Sequence, residues 1–333
     1  MFLTNIHFGW DVNIVEFINN FTQDAHLSTL FKLISYLGTE YVVIVIFGLL
    51  YWGLNKRMAK EMGYATFYGM VTNNLLKSFF NFLRPFQERP ESIKCLDESI
   101  LLVDKNGNHV LSESGTYYLS SSSSFPSGHS QGSSSIYNSF AKSSNKKWVW
   151  IISSVLCALV MLSRMALGVH SFLDVLTGYL VGICVIEVIY FVRKKMKNEM
   201  ILHISILSVF GILTLLSPLW SSQTRDLFTT FGIALGMVIG FYIEEKYINF
   251  EGVKTWWKVA LRLVFGVAII LLCKIVLKLP YQYFVNEGSY LGNVLDMLRY
   301  FIMIVVGTTL YPMLIKKIPF LNEKEAPEEY REA

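Results

Sequence analysis

The sequence predicts an all-α fold, a polytopic transmembrane helix bundle of about nine spans. Three observations predict it. The 333 residues are 53% hydrophobic and only 16% charged, against about 25% charged in a soluble domain. Apolar runs approaching the roughly 20 residues needed to cross a bilayer recur along the chain. Lysines and arginines are sorted into alternate loops, as the positive-inside rule requires of a multi-pass protein. The net charge of +4 therefore reports topology, and nothing in the chain points to nucleic acid.

Residues 1–28 form an interfacial N-terminal segment. Within it, 10–21 mixes apolar residues with Asp11, Asn13, Glu16, Asn19 and Asn20, a pattern suited to a short helix on the membrane surface. The predicted spans are 29–54, 61–83, 127–141, 147–167, 171–192, 200–219, 227–243, 257–279 and 291–315. The third carries Ser133, Ser134, Ser135 and Asn138, so it belongs inside the bundle rather than against lipid. Residues 29–199 make a core with an outer loop at 86–125, 200–316 add accessory spans, and 317–333 form a cytoplasmic tail. In the outer loop, two apolar runs flank Asn106-Gly107, a hairpin signal; the hairpin is either a lid or a passive surface loop. Residues 120–124 form a flexible serine run. The odd number of spans and the loop charges put the N-terminus outside and the C-terminus in the cytoplasm.

Cys95, Cys157, Cys184 and Cys273 have no zinc or disulfide spacing. No metal-ligand cluster and no cofactor motif is present.

Three segments far apart in sequence carry the chemistry. Lys77 and Arg84 lie seven residues apart, two helical turns, and so share one face. A lysine in an apolar run either snorkels to the interface or meets a partner; with Arg84-Pro85 beside it, the pair suits a phosphate dianion. Pro126-Ser127-Gly128-His129 opens a helix with Ser127 as N-cap. Gly128 allows close approach to amides that bind anions. In isolation this reads equally as a capped helix with an exposed histidine. The third segment holds Arg164, His170 and Asp174. Asp174 can close a capping box on Ser171, or accept a bond from His170 Nδ1 so that Nε2 presents its lone pair.

The pattern K-x6-RP, PSGH, SR-x5-H-x3-D resembles the type 2 phosphatidic acid phosphatase superfamily, also called lipid phosphate phosphatases. All three motifs match at every defining position. The resemblance implies that Lys77, Arg84 and Arg164 bind phosphoryl oxygens, with Ser127 and the Gly128 amide. It implies that His170 attacks phosphorus, oriented by Asp174, and that His129 protonates the leaving group, without a metal. The extended C-terminal region resembles sphingosine-phosphate phosphatases and some bacterial members. One clear span precedes the first motif where many members have two.

The function expected from this resemblance is a lipid phosphate or diphosphate phosphatase of the cell membrane, acting at the outer face through a phosphohistidine. Undecaprenyl diphosphate, phosphatidic acid, phosphatidylglycerol phosphate and a sphingoid phosphate are candidate substrates. The alternatives are a lipid phosphotransferase, or a transporter or scramblase on a phosphatase-like core. Charges in the C-terminal spans suit buried ion pairs among Arg262, Lys274, Arg299, Glu244, Glu245 and Asp296, or a headgroup cavity. Glu40 is a candidate partner for a motif cation.

Overall fold

The computed structural model describes residues 7–80, 82–102, 109–110, 123–196, 198–286 and 288–322. It divides into two compact units, Met1–Val43 with Ala65–Phe231, and Ile44–Tyr64 with Gly232–Ala333. In chain order the main helices are α1 (Gly9–Asp24), α2 (Ser28–Tyr36), α3 (Glu40–Gly48), α4 (Lys56–Phe79), the short α5 (Pro85–Glu88), α6 (Gly128–Ser144), α7 (Lys147–Ala166) and α8 (Phe172–Lys195). They continue as α9 (Glu199–Leu216), α10 (Arg225–Ile243), α11 (Trp256–Val276), α12 (Tyr290–Val305) and α13 (Tyr311–Lys317).

Among the described residues, six helices are long and apolar enough to cross a membrane, seven if the bent pair α2–α3 is one span. The count of nine is not reproduced by length and apolarity. The two segments left out, α4 and α6, are the polar ones. In α6, Ser130, Gln131, Ser133, Ser134, Ser135 and Asn138 are all buried. Most of their polar atoms find protein partners, as in Gln131 Nε2 to Ser135 Oγ (2.7 Å) and Ser134 Oγ to the Tyr179 carbonyl (2.8 Å), while Asn138 Oδ1 has none among the described residues. A helix enclosed by protein need not be apolar.

The predicted span 29–54 is not one straight helix. It breaks after Tyr36 and bends by 40° before Glu40, then continues into a π-helical turn at Leu49–Leu54. Gly38 sits at the break against α6 and α7. A Cβ there would stand 2.8 Å from Val160 Cγ1 and 3.0 Å from the His129 carbonyl oxygen. Glu40 therefore opens α3, is exposed, and forms no ion pair with a motif cation.

The first unit is organised around α6, packed between α7 and α8. Gly178 and Gly182, one turn apart on α8, let the two backbones approach. A Cβ at Gly182 would lie 2.6 Å from Ser134 Cβ, and one at Gly178 would be closer still to the Ser127 carbonyl. Small residues four apart permit such contact.

Helix α1 has three faces. Val12 and Val15 are buried in a cluster with Phe86, Ile93, Leu167, Val169 and Val175. Trp10, Ile14, Phe17 and Phe21 are exposed; their spacing puts them on one stripe. Asn13, Glu16, Asn20 and Gln23 fill the third side. Asn19, on the buried side, donates to the carbonyls of Lys94 and Ala166 and accepts from the Lys94 amide.

Leu102 and Val110 are joined by a backbone bond of 2.9 Å, so the flanks of the expected hairpin pair. Its Asn106-Gly107 turn lies outside the described residues. Of the serine run, Ser123 and Ser124 are buried and belong to the site described below, a correction to their reading as flexible.

In the second unit the charges pair differently from expectation. Glu244 is fully buried and takes Lys56 at 2.8 Å and Lys60 at 3.0 Å. Arg262 is also buried, and donates to the carbonyls of Trp52, Glu251 and Leu321 and to Asn322 Oδ1. Arg299 meets Asp296 at 3.0 Å, a pair drawn from the expected set.

Candidate active site

The ends of α4, α6, α7 and α8 bring the three motifs together. Lys77 lies in the last turn of α4, and its Nζ donates to the Ser123 carbonyl at 2.6 Å. The expected shared helical face of Lys77 and Arg84 does not form: α4 ends at Phe79, and Arg84, which precedes Pro85, is extended (φ −85°, ψ 153°), the conformation favoured before proline. Its side chain is buried; Nη1 donates to the Val169 carbonyl at 2.9 Å and stands 3.3 Å from His170 Nε2.

Ser127 caps α6, its Oγ accepting from the Ser130 amide at 3.4 Å. The Ser127 amide donates to the Asp174 carbonyl at 3.0 Å. That bond ties the second motif to the third. A Cβ on Gly128 would meet nothing nearer than Asn73 Oδ1 at 3.8 Å, so the helix entrance is open. His129 follows on the first turn. The positive charges of Arg164, Arg84 and Lys77 all act on it.

Arg164 ends α7 and is 1% exposed. Its Nη1 donates to Ser35 Oγ at 2.6 Å and to Asp97 Oδ2 at 2.9 Å. The chain then turns through Gly168 (φ +74°), where a Cβ would come within 2.5 Å of the Lys94 carbonyl. Only glycine suits both demands. This turn delivers His170 and starts α8.

Both sequence readings of Asp174 hold at once. Ser171 Oγ accepts from the Asp174 amide at 3.1 Å, and Asp174 Oδ2 accepts from the Ser171 amide at 2.9 Å, a capping box. The same Oδ2 accepts from Ser124 Oγ at 2.5 Å and faces His170 Nδ1 at 3.4 Å.

The tautomer of His170 follows from its neighbours. An arginine N–H can only donate, so His170 Nε2 must face Arg84 with its lone pair. The proton then sits on Nδ1, toward Asp174. Burial pushes the imidazole down to about 3, opposed by the bond to Asp174 and reinforced by Arg84 and Arg164. His170 is therefore neutral at physiological pH, with the Nε2 lone pair turned to Arg84. Burial and the charge of Arg164 lower Arg84 to about 10, which leaves it a cation.

The site also contains residues that the motifs do not name. Asp97 and Ser35 hold Arg164, and Ser124 holds Asp174. His7 Nε2 reaches Asp174 Oδ1 at 3.4 Å. Only Ser124 had a signal in sequence, its place two residues before the second motif.

Comparison with known proteins gives two matches to family models. One, described as the PAP2 superfamily, covers residues 59–197; the other, described as PAP2 superfamily phosphatase, transmembrane extension, covers 228–324. The chain belongs to the PAP2 superfamily. With its apolar helices, this PAP2 chain is a multi-pass membrane protein. Over 87 residues it is 38% identical to phosphatidylglycerophosphatase B of Bacillus subtilis, covering 23% of this chain and 43% of that protein. Over 175 residues it is 29% identical to an undecaprenyl-diphosphatase of Sulfolobus acidocaldarius, covering 52% of this chain and 74% of that protein. The first match thus spans less than half the length of its relative. No solved structure matches the chain.

Proposed function

We propose that this PAP2 protein is an integral-membrane phosphatase that hydrolyses a lipid phosphomonoester or diphosphate through a phosphohistidine on His170. The observation that carries the reading is Arg84 Nη1 at 3.3 Å from His170 Nε2, with Nδ1 turned to Asp174. An oxyanion held by Arg84 has its phosphorus beside the lone pair that attacks it.

In the first step Nε2 of His170 bonds to phosphorus and the bond to the leaving oxygen breaks. With the bound phosphoryl dianion offsetting the cations around it, His129 holds a proton and donates it to that oxygen. The new positive charge on the His170 ring is stabilised by Asp174. In the second step His129, now neutral, takes a proton from water; the water oxygen attacks phosphorus, the P–N bond breaks and inorganic phosphate leaves. Lys77, Arg84, Arg164, Ser127 and the Gly128 amide hold the equatorial oxygens, a fixed cationic cradle suited to phosphoryl transfer without a metal.

The relatives' names make phosphatidylglycerol phosphate and undecaprenyl diphosphate the first substrates to try, followed by phosphatidic acid and a sphingoid phosphate. The site is assigned to the extracytoplasmic face, with the N-terminus outside and the C-terminus inside. The loop lysines and arginines support this sidedness, and the contact of His7 with Asp174 agrees with the N-terminal segment and the site sharing one side. The test is phosphate release from a panel of lipid mono- and diphosphates in detergent, wild type against His170→Ala. Equal release by both proteins on every lipid would refute the proposal.

A further inference from the structure

His7, two residues before α1, enters the site. His7 Nδ1 stands 2.5 Å from Glu88 Oε1 and Nε2 3.4 Å from Asp174 Oδ1. Its side chain is 2% exposed. A neutral imidazole has one N–H and one lone pair. Here both nitrogens face carboxylate oxygens, so either orientation of the neutral ring would set a lone pair against an anion. Only the doubly protonated ring satisfies both contacts.

The two oxygens of Asp174 are divided between the partners. Oδ2 faces His170, Ser124 and the Ser171 amide, while Oδ1 faces His7. We propose that His7 is a positioning residue of this site: as an imidazolium bridging Glu88 and Asp174, it fixes the Asp174 carboxylate against His170. The proposal rests on the reading of His170 and Asp174 as the nucleophile pair.

Other contacts hold His7 in place. Its ring packs edge-on against Phe82, centroids 5.6 Å apart. Asp11 Oδ1, in the first turn of α1, accepts from the Leu173 amide at 3.2 Å; Asn19 ties only the far end of the helix, roughly three turns from His7, to Lys94 and Ala166. Burial alone would expel the proton, but the bonds and charges of Asp174 and Glu88 outweigh it and raise His7 to about 10. The cation keeps Asp174 ionised and oriented while positive charge grows on His170, the role of an outer partner that fixes a working group.

The test uses the full chain in detergent, with dioctanoyl phosphatidic acid as the probe. kcat and KM are measured for His7→Ala, His7→Gln, Asn19→Ala and His170→Ala, with melting temperature for each. His7→Ala should lower kcat about tenfold, equivalent to about 1.4 kcal/mol, with KM within about twofold. Added imidazole should restore part of the loss. His7→Gln, which keeps one hydrogen bond without the charge and nearly the same shape, should lose less. Asn19→Ala loosens α1 without touching Asp174, so it should lower the melting temperature and leave kcat within about twofold. Wild-type kcat in His7→Ala and His7→Gln would overturn the proposal. So would a loss matched by Asn19→Ala and unrelieved by imidazole. The nucleophile reading stands or falls separately, on whether His170→Ala is inactive.

Discussion

Gly182→Ala should lower turnover from about 12 Å along α8, about two helical turns beyond Asp174, because it forces two helices apart. The new methyl carbon would stand 2.6 Å from Ser134 Cβ and 3.0 Å from the Gln131 carbonyl oxygen, where ordinary contact begins at 3.4 Å. Neither neighbour is the end of a flexible side chain. The helices must therefore separate by about 0.8 Å, the shortfall between those contact distances. Helix α6 carries Ser127 and His129; α8 carries Asp174 and follows His170 directly. Overpacking of this kind costs about 1–3 kcal/mol, and a 1 Å misplacement of catalytic groups can cost about a hundredfold in rate. The expected result is a lower melting temperature and a fall in kcat of about tenfold or more. Gly132→Ala on α6 is the control. Its methyl would meet the Gly38 carbonyl at 3.7 Å, an ordinary contact, and activity should persist. The assay is phosphate release from a short-chain lipid phosphate, alongside thermal unfolding. Wild-type turnover in Gly182→Ala would refute the reasoning that this glycine contact sets the site's geometry.

Other outcomes follow from the same contacts. His129→Ala should slow turnover of alkyl phosphates most and aryl phosphates least, because aryl oxygens leave without a proton; steady-state rates on the two classes decide it. Asp97→Asn should destabilise the fold by about 3–5 kcal/mol, since it leaves the buried Arg164 without its counter-charge. It should also strengthen inhibition by inorganic phosphate. Thermal melts with and without phosphate check both effects. The pH dependence of stability has two arms. His7, held up to about 10, contributes stability that is complete below the unfolded pKa of about 6.5 and is lost as pH rises through the folded value. His170, held down to about 3, acts oppositely: the unfolded state gains a proton below about 6.5 and the folded state does not, so stability falls toward acid. Melts across pH should peak near neutrality. His7→Gln should flatten the alkaline arm only.

How much of this was legible in the sequence depends on the kind of signal. Lys77, Arg84, Ser127, His129, Arg164, His170 and Asp174 stand out by motif, each motif lying at a helix end. Helix geometry converts spacing into direction for Ser127 and for Ser171 with Asp174, but not for Lys77 and Arg84, since α4 ends at Phe79 and Arg84 is extended. The capping box on Ser171 was readable for the same reason. The helices were readable too, but not which of them meet a test of apolarity. Helices α4 and α6 are polar because protein encloses them, and enclosure is a tertiary fact. The break at Gly38 is not legible within an apolar run, because it goes with Val160 and His129 packed against that glycine. Asp97 and His7 had no period, no neighbour and no motif. Their roles come from contacts spanning 67 and 167 residues. Glu244 was expected to meet the C-terminal cations, yet Lys56 and Lys60 of α4 reach it first, in a pairing that local sequence does not encode.

The most direct test of the central claim is to trap the covalent intermediate. Purified protein is mixed with lipid phosphate labelled at phosphorus, quenched within milliseconds under alkaline conditions that preserve phosphohistidine, and mapped by peptide. The account predicts acid-labile label on the peptide containing His170, absent in His170→Ala and prolonged in His129→Ala, which lacks the base that activates water. Full turnover in His170→Ala, or label on another residue, would contradict it.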